Sequence, residues 1–255
     1  MSIQPEFRPL AECTAERCKD LLGENYAAAY LHGSLYMGDA VCGVSDLDVY
    51  LVTKTPVNEV LRQRILKLED VLLQEFPVVS EVHLALHDEA ALRDDAFARF
   101  VLRYNAMLLG GEDIVRRLEE RGAARIYPDA AMAKGRLAFA RSCFQDALAG
   151  KQPACTGPVP KEPCWAARKF ARYFVVVEGA YFLMTRGKFT AFTAEAVLPG
   201  LREEAPDFGE ELLLAERVLR DAKSANLSGE DFLRRIQPFA EWMFRCMEKS
   251  DGGKI

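Results

Sequence analysis

The sequence predicts an α+β protein, with a mixed sheet and flanking helices over residues 1–127 and a helical bundle over residues 128–255. Three observations carry this. In the first half, short runs rich in β-branched and aromatic residues alternate with segments of helical period. From Asp129 onward every periodic segment is helical. Inside that second half stands GKQPACTGPVPKEP (150–163), whose four prolines and two glycines exclude a helix and mark an exposed connection.

The elements follow in order. RPLAECTAERCKDLL (8–22) has an amphipathic helical pattern that ends at Gly23-Glu24-Asn25. YAAAYLH (26–32) reads as a buried strand broken by Gly33-Ser34, and LDVYLVT (47–53) as a second strand. VNEVLRQRILKLEDVLLQEF (57–76) places apolar residues at helical spacing, with Pro77 just past its end. VVSEVHLAL (78–86) alternates as a third strand, and a helix is expected over 90–104. AMLLGGEDI (106–114) reads as a short strand, a Gly-Gly turn and a helix start with Asp113 as its cap. Helices are expected over 129–149, 161–186, 190–200, 207–223 and 228–249.

Composition narrows the function classes. The 255 residues are 50% hydrophobic and carry a net charge of -5, which argues against a nucleic-acid partner, since such proteins show a basic footprint. An acidic chain is compatible with a cationic small substrate. The seven cysteines are irregularly spaced and form no CxxC pair, so neither a disulfide framework nor a zinc site is expected. No apolar signal core or run of about 18 apolar residues occurs, and the expected setting is cytosolic, without a membrane partner.

The chemistry concentrates in LHGSLYMGDAVCGVSDLDVYLVT (31–53). Asp46 and Asp48 stand two apart on a strand and project from one face, while Leu47, Val49 and Leu51 face the core. Carboxylates this close disfavour joint ionisation unless a cation lies between them. Mg2+ takes hard oxygen ligands and keeps positions open for phosphate oxygens. A bare D-x-D is also compatible with two solvated aspartates at a strand end.

The wider context decides between these readings. Gly33-Ser34 follows an apolar strand, eleven residues intervene, and Asp46-Leu47-Asp48-Val49 opens the next strand. This pattern resembles the signature of the nucleotidyltransferase superfamily that includes DNA polymerase beta and the aminoglycoside adenylyltransferases. His32 before the Gly-Ser pair departs from it. YNAMLLGGEDI (104–114) looks like the segment that closes the family's catalytic sheet. RYFVVVEGAYFLMTRGKFTAFTAEAVL (172–198) resembles part of the helical half of the streptomycin/spectinomycin adenylyltransferases.

The resemblance implies a nucleotidyltransferase-type catalytic domain over 1–127 and a substrate-binding helical domain over 128–255, with substrate held between them. Gly33 would let the backbone approach a phosphate, Ser34 would offer a hydroxyl and N–H, and Ser45 would donate similarly. Asp46, Asp48 and a third acid would hold Mg2+. Glu81 and Asp88 are the candidates for that third acid. Strand alternation sets Glu81, His83 and Ala85 opposite Val82, Leu84 and Leu86, whereas Asp88 reads as a helix cap, so Glu81 is assigned. It resembles the general-base glutamate of the same enzymes.

In the helical half, the resemblance suggests that Lys188 reaches the triphosphate; a helix-end lysine complementing the dipole is the alternative. Arg168 and Arg172 share a helix face and are candidates for the same task, or members of a solvated face. Glu178 lies in an apolar run and either pairs with a bundle arginine or receives a cationic group. The expected activity is transfer of AMP from ATP to a hydroxyl of an aminoglycoside-like acceptor, a chemistry of antibiotic resistance. Adenylylation of a partner protein and a catalytically silent nucleotide-binding module are the competing readings.

Overall fold

A computed structural model describes residues 3–249. The chain divides into two compact units, Met1–Ile126 and Tyr127–Ile255. Among the described residues no helix is long and apolar enough to cross a membrane.

The first unit is built on a four-stranded sheet. α1 (Arg8–Leu22) leads through a 3-10 turn at Gly23–Asn25 into β1 (Tyr26–His32), and α2 (Gly33–Met37) follows at once. β2 (Leu47–Thr53), α3 (Glu59–Glu75), β3 (Val82–Asp88), α4 (Glu89–Asp94), α5 (Ala96–Tyr104), β4 (Ala106–Gly111) and α6 (Ile114–Glu120) complete it. The strand order is β3-β2-β1-β4. β2 and β3 run parallel, and β1 is antiparallel to both β2 and β4.

Strand alternation gives each face its own core. Ala29 and Leu31 of β1, Leu47, Val49 and Leu51 of β2, and Val82 and Leu84 of β3 join Leu10, Cys18, Ile65 and Leu72 of α1 and α3. On the other face, Ala28, Tyr30 and Val52 pack with Leu92, Ala98, Leu102, Ile114 and Leu118 of α4 to α6. The sheet is thus covered on both sides along most of its length.

Side-chain caps set the helix starts. Asn58, Asp88, Asp95, Asp113 and Asp129 each accept the backbone N–H three residues on, satisfying a donor the helix cannot. The helix expected over 90–104 is therefore two helices: Asp95 is extended and caps α5, which forces the break. The third strand also begins later than expected. Residues 78–80 bond instead to the loop before β2, with Gly43 N–H donating to Val78 O and Ser80 N–H to Ser45 O.

The second unit is all helical: α7 (Ala130–Leu148), α8 (Pro163–Phe170), a π-helical segment at Ala171–Val177, α9 (Glu178–Thr185), α10 (Ala194–Glu204), α11 (Gly209–Arg220), α12 (Ala222–Ala225) and α13 (Gly229–Lys249). α8, the π segment and α9 form the one expected long helix. α10 starts at Ala194 rather than 190, because Phe189 and Phe192 fold into ring contact with each other, and Phe192 with Tyr181. The proline-rich connection is organised by Gln152. Its Nε2 donates to the carbonyls of Thr156 (3.0 Å) and Gly157 (2.9 Å), and its Oε1 accepts the Val159 N–H (3.2 Å).

Candidate active site

The site is built at the open end of the sheet, where β1 stops and β2 and β3 begin. Gly33 takes φ of +73°, a left-handed turn that starts α2 directly after His32. A Cβ at this position would lie 2.5 Å from Asp48 Oδ2. The backbone angle favours glycine, and the Asp48 carboxylate lies where a Cβ would stand. Ser34 is buried, and its Oγ has no hydrogen-bond partner among the described residues. Buried hydroxyls are ordinarily hydrogen-bonded, so this one stands out.

Asp46 precedes β2 by one residue and Glu81 precedes β3 by one. The strands pair in parallel from Leu47 and Val82, and the Leu47 N–H donates to Glu81 O at 2.9 Å. The two acids therefore enter neighbouring strands side by side. Glu81 was expected within a strand; it stands at the strand's mouth instead, half-buried. Asp88 closes β3 and its Oδ1 accepts the Ala91 N–H at 2.9 Å, which is the capping task expected of it.

Ser45, expected at the nucleotide, serves as a latch in this structure. Its Oγ accepts the Val41 N–H at 2.9 Å, and its carbonyl accepts the Ser80 N–H at 2.9 Å. These bonds pin the loop that delivers Asp46.

The same sheet face gathers all three histidines of the chain, a feature the sequence pattern did not reveal. Asp48 pairs in register with His32 on β1 and with His83 on β3. The His32 ring lies 4.6 Å from that of Tyr50, which lies 4.9 Å from that of His87. Burial pushes the His32 imidazole down to about 4; His83 and His87 add to this, and Asp46 opposes it. His32 is thus neutral at neutral pH. Burial likewise lowers His87, against the pull of Asp95 and Asp88.

The donor chemistry fits Mg2+. Asp46, Asp48 and Glu81 supply carboxylate oxygens from one sheet end, and Mg2+ needs only one or two such ligands beside water and substrate phosphates. Among the described residues no group of three or more His, Cys, Asp or Glu side chains is placed to hold a metal ion.

No family model matches the sequence, and no curated protein matches it. A solved structure does. It is a spectinomycin adenyltransferase from Enterococcus faecialis, determined with ATP and spectinomycin, with a TM-score of 0.56 and 12% identity over 95% of this chain and 99% of that one. The chain shares the fold of that adenyltransferase.

The helical unit holds the remaining candidates. Lys188 follows Gly187 (φ +67°), and its N–H closes the end of α9 on Leu183 O at 2.9 Å. Its Nζ lies 2.6 Å from Glu204 Oε1 and 3.3 Å from Glu203 Oε2. Hydrogen bonds to these two acids raise its pKa. Arg168 donates from Nε to Leu219 O (3.2 Å) near the end of α11, and the adjacent Lys169 reaches Pro158 O (3.0 Å) in the proline-rich connection. Arg172 lies in the π segment, half-buried.

Glu178 is fully buried, and its Oε1 accepts from Arg136 Nε at 3.1 Å. Arg136 also donates to the Tyr173 hydroxyl and lies over the rings of Phe139, Tyr173 and Tyr181 at 5.0–5.5 Å. Tyr173 and Glu178 are five residues apart, a spacing that diverges on an α-helix and aligns where bonds run i to i+5. The π segment is what turns both toward one guanidinium. Burial raises the Glu178 carboxyl, and Arg136 draws it back. The lone acid of the apolar run is thus the partner of a bundle arginine.

Proposed function

We propose that this chain is an adenylyltransferase that moves AMP from ATP to a hydroxyl of a small cationic acceptor of the aminoglycoside type. The observation that carries the reading is the Gly33–Ser34 turn beside Asp48, with a buried Ser34 hydroxyl that has no hydrogen-bond partner among the described residues. The fold shared with an enzyme solved with ATP and spectinomycin supports it.

The residues divide the work as follows. Gly33 and Ser34 bind a phosphate through backbone N–H and hydroxyl, which orients the triphosphate. Asp46 and Asp48 hold the cation. Bound Mg2+ neutralises the charge on the phosphates. Glu81 takes the proton of the acceptor hydroxyl as its oxygen bonds to the α-phosphorus; the bond to the bridging oxygen breaks and pyrophosphate leaves. Ser45 keeps the loop of Asp46 in place. Lys188, Arg168 and Arg172 are the cations proposed for the triphosphate.

Incubation with α-labelled ATP, Mg2+ and a panel of spectinomycin and aminoglycosides tests this. Labelled acceptor and stoichiometric pyrophosphate are expected. Label that moves to no panel member overturns the acceptor class, and label on a protein band of a lysate would redirect the reading to a protein acceptor.

A further inference from the structure

The outer side of α3 carries a stripe that the sheet does not use. Val60, Arg64, Lys67 and Val71 recur at i, i+4, i+7 and i+11, which sets them on one helix face. Val60 is 71% exposed and Val71 40%, while Ile65 and Leu72 take the buried side of the helix. Val71, with the half-buried Leu68 and Leu21, floors a groove of about 480 Å3 between α1 and α3. Arg17, Arg64 and Lys67 rim this groove, against one acid, Asp20. Arg17 pairs with Glu75 at 2.6 Å. Among the described residues Arg64 and Lys67 form no ion pair. In a chain of net charge -5 this is an uncompensated basic groove with an apolar floor, and exposed apolar surface rimmed by charge marks an interaction site.

The same chain carries a complementary surface on α11. Leu213 is 55% exposed, and Glu210 lies one turn before it on the same face. Asp207, in the 3-10 turn that leads into α11, is also exposed. Neither acid forms an ion pair among the described residues. Arg217, one turn beyond Leu213, matches the groove's Asp20 in sign, and Arg220 is already paired with Glu216 at 2.9 Å. Unpaired acids thus flank an exposed leucine on α11, where unpaired cations flank exposed valines at the groove. We propose that the α1–α3 groove receives a second copy of this chain, whose α11 seats Leu213 on the apolar floor and sets Asp207 and Glu210 against Arg64 and Lys67. The two surfaces differ, so the contact is heterologous. Its charges set the partner and the rate of encounter, and Leu213 supplies the apolar burial.

Sedimentation velocity of the full chain over a concentration series, without nucleotide or metal, tests this independently of AMP transfer. The mean mass is expected to rise above that of the monomer with concentration at low salt, and to fall back as salt is raised. Arg64→Glu combined with Lys67→Glu is expected to weaken association about tenfold or more, and so is Asp207→Lys combined with Glu210→Lys. Leu213→Ser should weaken it about tenfold through lost apolar burial. Mixing the two charge-reversed proteins is expected to restore association. Each keeps one native surface for the other, and the reversed groove of the first matches the reversed α11 of the second. Thermal melts confirm that the variants fold. A wild-type chain that stays monomeric at every concentration would overturn the inference and leave the groove to a foreign partner. Association that charge reversal does not weaken, or that mixing does not restore, would overturn it as well.

Discussion

Glu178 in the helical unit and Asp48 in the sheet unit are both acids set into apolar elements, and their surroundings differ. Glu178 has no exposed surface and meets a guanidinium that three aromatic rings enclose. Asp48 is half-buried at a strand's open end, beside a left-handed glycine and a hydroxyl without a partner. The first arrangement is closed: Arg136 pairs with Oε1, while Oε2 has no hydrogen-bond partner among the described residues. The second lies at an open strand end, beside a left-handed turn. The comparison teaches that a buried acid's task is read from what faces it, because both acids look equally misplaced in the sequence.

Substitution at each acid should separate the two tasks. Asp48→Asn removes a charged ligand and is expected to lower AMP transfer by about 10,000-fold, since cation charge is worth several kcal/mol at the transition state. Its melting temperature without metal should be unchanged or higher, because repulsion from Asp46 is relieved. A fully active Asp48→Asn would erase the contrast. Glu81→Gln is expected to lose about a hundred- to ten-thousand-fold in turnover. Its Mg2+–ATP affinity, measured by calorimetry, should hold because Asp46 and Asp48 remain. If Asp88→Asn loses turnover and Glu81→Gln does not, Asp88 takes the role.

Arg136→Ala should act on stability instead. It strands Glu178 in the bundle and is expected to cost about 3–5 kcal/mol in chemical denaturation. Pairing it with Glu178→Leu should recover much of that loss, since the buried charge is gone. If Arg136→Ala alone left stability unchanged, the closed arrangement would not be what holds the π segment.

The smallest expected effect is on pH. The folded chain holds His32 near 4, whereas an unfolded histidine titrates near 6.5. Between these values the unfolded state binds more protons, so folded stability falls as pH drops from about 6.5 toward about 4. His87, also lowered, acts in the same direction. The loss should be about 3 kcal/mol by pH 4 for the metal-free chain. His32→Asn should flatten the slope of stability against pH, and an unchanged slope would contradict the assignment.

Much of the sheet unit was legible in the sequence because its signals are local. Gly33-Ser34 and Asp46-Leu47-Asp48 lie within 16 residues, and the caps at Asp88, Asp113 and Asp129 announce themselves three residues ahead of the donors they satisfy. The misplacements have local causes as well. Residues 78–80 alternate like a strand, yet their backbone groups are used by the loop before β2. Arg136 was not legible, because it stands 42 residues from Glu178 and the π register that aligns Tyr173 with Glu178 leaves no mark in the pattern. The histidine row was equally hidden, since only strand register sets His32 and His83 on either side of Asp48. Ser45 is expected at the nucleotide from its place in the motif, and its bond to Val41 is visible only in the folded loop.

A crystal of the full chain with Mg2+ and a non-hydrolysable ATP analogue tests the central claim most directly. The account expects triphosphate oxygens on the Ser34 hydroxyl and the Gly33–Ser34 backbone, and the cation on the carboxylates of Asp46 and Asp48. A nucleotide bound elsewhere, with Ser34 and Asp48 untouched, would contradict it.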